Sequence, residues 1–110
     1  MPDPKKLFET LVREHADMLT VYLQSALHNT SDVDDIFQET MIIAWRRLDD
    51  FDHTRPFGPW LRGIARKLVL ANSRRQARVL CNPLVLDRVD VRLSQLSSRQ
   101  GDTWEEKMQS

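Results

Sequence analysis

The chain of 110 residues has one cysteine, Cys81, three glycines, at positions 58, 63 and 101, and three histidines, His15, His28 and His53. A lone cysteine excludes an internal disulfide framework, and Cys81 has no local partner set for nucleophilic catalysis. Scattered glycines leave no loop to cradle a phosphate. The histidines stand 13 and 25 residues apart, with no metal-ligand signature. Asp32, Asp34 and Asp35 crowd together without the glycine and distal glutamate of a calcium loop, so they read as a charged helix start. Long hydrophobic runs are also missing. Met41–Trp45 and Leu68–Ala71 are the longest, far short of the roughly 20 residues that cross a bilayer. Met1–Lys6 leads into no apolar signal core. These absences point away from an enzyme, a metal or cofactor site and a membrane protein, and toward a soluble cytoplasmic domain.

What is present is charge and helical rhythm. Charged residues make up 29% of the chain and hydrophobic residues 41%, enough for one modest core. Lys plus Arg and Asp plus Glu number 16 each, for a net charge of zero. That balance hides a split. Residues 1–54 carry 5 basic and 11 acidic side chains, and residues 55–110 carry 11 basic and 5 acidic. Seven basic residues and no acidic one fall between Arg55 and Arg78. The basic half either faces a polyanion or is a solvated helix surface; composition leaves both open.

Apolar spacings of three and four predict a first helix from about Pro4 to about His28, with Asp3 as N-cap and Pro4 at the first position. A second helix is expected from Ser31, where Ser31 and Asp34 resemble a capping box, to about Asp50. Its inward stripe is Val33, Ile36, Phe37, Thr40, Ala44 and Leu48. Phe51–Phe57 reads as a loop, because Arg55 precedes Pro56. Gly58-Pro59 restarts a third helix that runs to about Arg78. On its wheel Trp60, Leu61, Ile64, Ala65, Leu68, Val69 and Ala71 fill one half, and Arg62, Arg66, Lys67 and Arg74 the other, with Leu70 among them. Gly63 offers a place for close approach to the first helix. Beyond Leu80 the pattern weakens. A fourth helix from Asn82-Pro83 to about Leu96 is favoured, although Val89, Val91 and Leu93 also alternate as in a strand. The expected fold is all-α, a compact bundle of three main helices with a fourth in the C-terminal segment. Residues 1–80 form the domain, and 81–110 a linker or short extra helix and tail.

Two surfaces stand out. Asp35, Gln38, Glu39 and Ile42 line up on the outer face of the second helix, with Trp45 at its edge. Acidic and amide groups beside apolar side chains suit a basic, partly apolar partner helix; the alternative is that Ile42 and Trp45 are core. The loop with Phe51, His53, Thr54, Arg55 and Phe57, followed by Trp60 and the cations of the third helix, combines rings with positive charge. That suits single-stranded nucleic acid, whose unstacked bases rest on rings while phosphates meet Lys and Arg. Here the alternative is that the rings are core and the arginines are solvated.

Asp32–Asp52, DVDDIFQETMIIAWRRLDDFD, resembles the core helix of bacterial RNA polymerase sigma factors, specifically the extracytoplasmic-function (group IV) class. Phe57–Lys67, FGPWLRGIARK, with Arg74-Arg75 beyond it, is similar to the promoter-melting helix of conserved region 2 in that class. The likeness covers about residues 5–80. It implies that Asp35, Gln38 and Glu39, with Ile42 and Trp45 beside them, dock on the clamp helices of the polymerase largest subunit. It implies that the loop from His53 through Thr54 and Arg55 to Phe57 captures a flipped base of the non-template strand of the promoter minus-ten element. Arg62, Arg66, Lys67, Leu70 and Arg74 would meet the upstream duplex edge and phosphates, with Arg75 and Arg78 as backbone contacts. An anti-sigma factor is a further candidate partner.

Departures from the family pattern are Lys67 where many relatives have Asn, Ala71 where they have Asp, and the Gly58-Pro59 pair in the loop. The family usually continues with a helix-turn-helix domain, so the 110 residues are expected to be an excised domain. The competing readings are a helical protein-interaction adaptor and a small duplex-DNA-binding repressor.

Overall fold

A computed structural model describes residues 3–52, 54–76 and 83–97, with residues 74–76 and 97 described by backbone alone. In order, the elements are α1 (Pro4–Ala26), α2 (Thr30–Arg46), a 3₁₀ turn (Leu48–Asp50), α3 (Phe57–Gln76) and α4 (Pro83–Ser97). The fold is the expected all-α bundle, and the fourth segment is a helix. The alternation of Val89, Val91 and Leu93 gives way to the helical spacing of Leu86, Val89 and Leu93, which turns those three toward the core.

α1 starts as its sequence dictates. The Asp3 carboxylate accepts the Lys5 N–H at 3.0 Å, and Pro4 takes the first helical position, where no amide donor is needed. α2 starts one residue earlier than the Ser31 pattern suggests. Asn29 is the cap: its side-chain oxygen accepts the Asp32 N–H at 2.7 Å, and its Nδ2 donates to the Asp32 carboxylate at 3.0 Å. The first helical turn thus gains a donor, an acceptor and a carboxylate at the positive end of the helix dipole. α2 stops at Arg46, and Leu48–Asp50 tightens into the 3₁₀ turn. α3 begins at Phe57, one residue ahead of the Gly58-Pro59 signal, which leaves Pro59 inside the first turn, where it is tolerated.

The core is a stack of fully buried side chains from all four helices, among them Leu11, Leu19 and Leu23 of α1, Ala44 of α2, Leu61 and Val69 of α3 and Leu86 of α4. Thr40 is buried with them, and its hydroxyl donates to the Ile36 carbonyl at 2.7 Å, so it enters the interior with its donor satisfied. At one end the rings close a cluster around Phe57, whose edges meet Phe8, His15 and Phe51 at centroid distances of 6.2, 5.3 and 5.6 Å. Buried His15 donates from Nδ1 to the Leu11 carbonyl at 2.7 Å.

Three sequence expectations are corrected here. Phe57 is completely buried, because it is the hub of the ring cluster and not an exposed loop residue. Arg62 is 1% exposed. Its Nε donates to the Asp90 carboxylate, its Nη2 to the Ser94 hydroxyl at 2.6 Å and its Nη1 to the Met18 sulfur at 3.2 Å. The guanidinium therefore ties α3 to α4 and α1. Gly63 is exposed, and a Cβ placed on it would meet nothing within 4 Å, so it permits no close helix approach.

Candidate functional site

The outer face of α2 is assembled as its spacing suggests. Val33, Ile36, Thr40 and Ala44 point into the core, which leaves Asp35, Gln38, Glu39, Ile42 and Trp45 outward. Ile42 and Trp45 are 51% and 48% exposed, so neither is a core residue. The Trp45 ring is nonetheless fixed: it leans on Phe8 of α1 at 5.2 Å between centroids. No ion pair among the described residues occupies Asp35 or Glu39. The result is a strip of two carboxylates, an amide and two half-exposed apolar groups on a rigid helix.

The positive surface is divided. Arg66 turns toward α4, where its Nε donates to the Asp87 carboxylate at 3.3 Å. Leu70 is half-buried against the core. Lys67 points the other way, into an open groove of about 550 Å³ between the end of α2 and α3. Ile43, Trp60, Ile64 and Leu68 form the apolar floor of that groove, and Arg46, Arg47 and Lys67 stand on its walls. None of these three cations holds an ion pair among the described residues. Trp60 is partly exposed while its ring packs on Phe51 at 4.8 Å and Phe57 at 5.6 Å, so it is a supported platform. Sequence reasoning missed Arg46 and Arg47. Both fall beyond the last buried position of α2, and the signal that could have found them is their spacing of three and four from Ile43, which puts all three on the groove face of the helix.

The α2–α3 connection is ordered from within. Asp52 accepts the Thr54 hydroxyl at 2.6 Å and its N–H at 2.9 Å, and it pairs with Arg55 at 3.4 Å. The Thr54 hydroxyl and amide, then the Arg55 charge, hold the Asp52 carboxyl below its ordinary value. Thr54 and Arg55 are exposed, as a binding loop requires. His53, Arg78 and the side chains of Arg74 and Arg75 lie outside the described residues. Among the described residues no cluster of His, Cys, Asp or Glu could hold a metal, and no helix is long and apolar enough to cross a membrane.

The described residues thus form a small helical body with one acidic-apolar face and one cationic, ring-floored groove. Residues 11–79 match the family described as Sigma-70 region 2, and the chain belongs to that family. It is similar to the RNA polymerase sigma factor NccH of Alcaligenes xylosoxydans xylosoxydans, with 48% identity over 54 residues covering 49% of this chain and 29% of the relative. It is also similar to the RNA polymerase sigma factor CnrH of Cupriavidus metallidurans, with 42% identity over 57 residues covering 52% of this chain and 30% of the relative. A third relative is the ECF RNA polymerase sigma factor SigL of Mycobacterium tuberculosis, with 33% identity over 73 residues covering 66% of this chain and 41% of the relative. The chain thus spans between about three tenths and two fifths of the length of these curated relatives. No solved structure matches it.

Proposed function

We propose that this domain docks on the clamp helices of the RNA polymerase largest subunit through Asp35, Gln38, Glu39, Ile42 and Trp45, and that it binds and melts the promoter minus-ten element for transcription initiation. The docking strip supplies carboxylates and an amide for basic side chains, and Ile42 and Trp45 for apolar ones. The non-template strand runs along the α2–α3 groove: phosphates meet Arg46, Arg47 and Lys67, and an unstacked base rests on Trp60 or in the adjoining loop of Thr54 and Arg55. A base taken out of the stack loses a few kcal/mol of pairing and stacking. A pocket that fits only certain bases offsets that loss selectively, so melting follows sequence without any chemistry by the protein.

The observation that carries this reading is the groove. Three cations that hold no ion pair among the described residues surround a ring-bearing apolar floor, a combination that a merely solvated face does not need. The test is a fluorescence-anisotropy titration with single-stranded non-template minus-ten oligonucleotides, matched duplex and scrambled strands. Preference for the correct single strand supports the reading. Preference for duplex favours a repressor, and binding to none favours an adaptor. In parallel, changing Gln38→Ala and Glu39→Ala together should reduce capture by a clamp-helix fragment while the helical circular-dichroism signal is unchanged. Undiminished capture would overturn the docking assignment.

A further inference from the structure

α4 has two unlike halves. The inward half carries fully buried Leu86, partly buried Val89 and Leu93, and the Asp87, Asp90 and Ser94 groups that engage Arg66 and Arg62. The outward half carries Leu84, Val85, Val91 and Leu96, which are 64%, 42%, 58% and 55% exposed. Arg88 and Arg92 stand exposed between them. At about 100° per residue these six side chains span an arc of roughly 140°. Both carboxylates of the helix lie outside that arc, taken up by the arginines of α3. Neither Arg88 nor Arg92 holds an ion pair among the described residues. A helix face left to water gains nothing from four apolar side chains there.

We propose that the outward face of α4 is a docking surface for an acidic amphipathic helix of a partner protein. Leu84 and Val91, seven residues apart, form one apolar row along the helix axis, and Val85 and Leu96, eleven apart, form a second at the other edge of the arc, so a partner helix can seat apolar side chains on both rows. Arg88 and Arg92 lie between the two rows, four residues or one helical turn apart, which matches carboxylates spaced one turn apart along the middle of the partner's contact face. A bilayer is the poorer fit, since the chain is neutral overall and sets up no long-range attraction to an anionic surface. Arg62 and Arg66, which engage α4, lie on the side of α3 turned away from groove residues Trp60, Ile64 and Lys67. A partner on α4 therefore leaves the groove open, and the inference stands whatever the groove binds.

The test uses the 110-residue chain and two synthetic helical peptides with identical paired apolar rows, one with Glu and one with Lys between the rows, with phosphatidylglycerol vesicles as a third probe. The wild type should bind the Glu peptide at least tenfold more tightly than the Lys peptide. Val91→Asp should weaken that binding at least tenfold, and Arg88→Glu with Arg92→Glu should reverse the preference. Circular dichroism checks that these exposed substitutions leave the fold intact. Equal affinity for both peptides, binding untouched by the three substitutions, or tighter binding to the vesicles would overturn the proposal. Self-association in sedimentation that Val91→Asp abolishes would also overturn it, since the face would then belong to a second copy.

Discussion

Arg62 shows how much one side chain's surroundings matter. Its guanidinium is buried, whereas the Asp90 side chain that receives it is 41% exposed. The two halves of this pair are therefore unequal. Asp90→Ala strands a buried cation and should cost about 3 kcal/mol, near the low end for a broken buried pair, because Ser94 and Met18 still attend the group. Arg62→Met leaves behind a carboxylate that water can reach, and should cost about 1 kcal/mol. Urea midpoints of the two variants decide the order; equal losses would mean that Arg62 contributes only packing. A helical wheel could not reveal this, since it shows a cation opposite the apolar stripe but not a second helix laid across it. One trace was present: Arg62 and Arg66 are four apart and Asp90 and Asp87 three apart, a match between antiparallel helices. Tyr22 lies in the same neighbourhood. Burial, and next Asp90, push its phenol up to about 12 from the ordinary 10.0. A raised value in the folded state means that stability is intact below pH 10 and falls as pH climbs toward 12, by at most about 1.4 kcal/mol per unit. As the only tyrosine, Tyr22 reports directly through phenolate absorbance. Its midpoint should lie well above that of the urea-unfolded chain, and Tyr22→Phe should flatten the alkaline loss of stability.

Helix starts and helix existence were unequally legible. The spacing of α1 and α2 marks their inward faces, and that of α3 marks its buried apolar side chains but not buried Arg62; the exposed strip of α2 follows from the same count. The start of α2 was ambiguous because two overlapping patterns, Asn29 with Asp32 and Ser31 with Asp34, share the same chemistry. Local sequence cannot rank them; the chain's exit from α1 at Leu27 places Asn29 in the extended conformation a cap needs. Asn29→Ala should thus lower stability by about 1 kcal/mol, and Ser31→Ala by much less. Thermal melts of both variants test this. α4 was the weakest reading because its outward face is as apolar as its inward one, which blurs the periodicity. Its inward face nevertheless completes the core: Leu86 is fully buried, and Asp87 and Asp90 neutralise two arginines. A chain cut after Asn82, close to the boundary expected at residue 80, loses all three. Burial of Leu86 alone is worth about 2 kcal/mol, so the shortened chain should melt at least about 10 °C lower. An unchanged melting temperature would mark α4 as an appendage.

Across the whole molecule, the acidic and basic halves of the sequence do not map onto two opposed sides. α2 carries its acidic strip and then, within two turns, Arg46 and Arg47 of the groove, while two arginines of the basic half are spent on α4. Net charge along the chain therefore overstates what reaches solvent, and only cations without an internal carboxylate can release counterions from DNA. This gives a sharp expectation. For single strands, the logarithm of affinity falls against the logarithm of salt with a slope of about 0.7 per phosphate contact. Arg46→Ala and Lys67→Ala should each weaken binding of a minus-ten single strand and reduce that slope by about 0.7. Their combination should reduce it by about twice as much, since they stand on different walls of the groove. Arg66→Ala, although it removes the same charge from the same basic half, should leave the slope nearly unchanged, because its guanidinium is turned to Asp87. Anisotropy titrations at several salt concentrations separate the cases. A slope that responds equally to all three substitutions would show that the strand senses only overall charge, and the groove would lose its claim to be the path of the DNA.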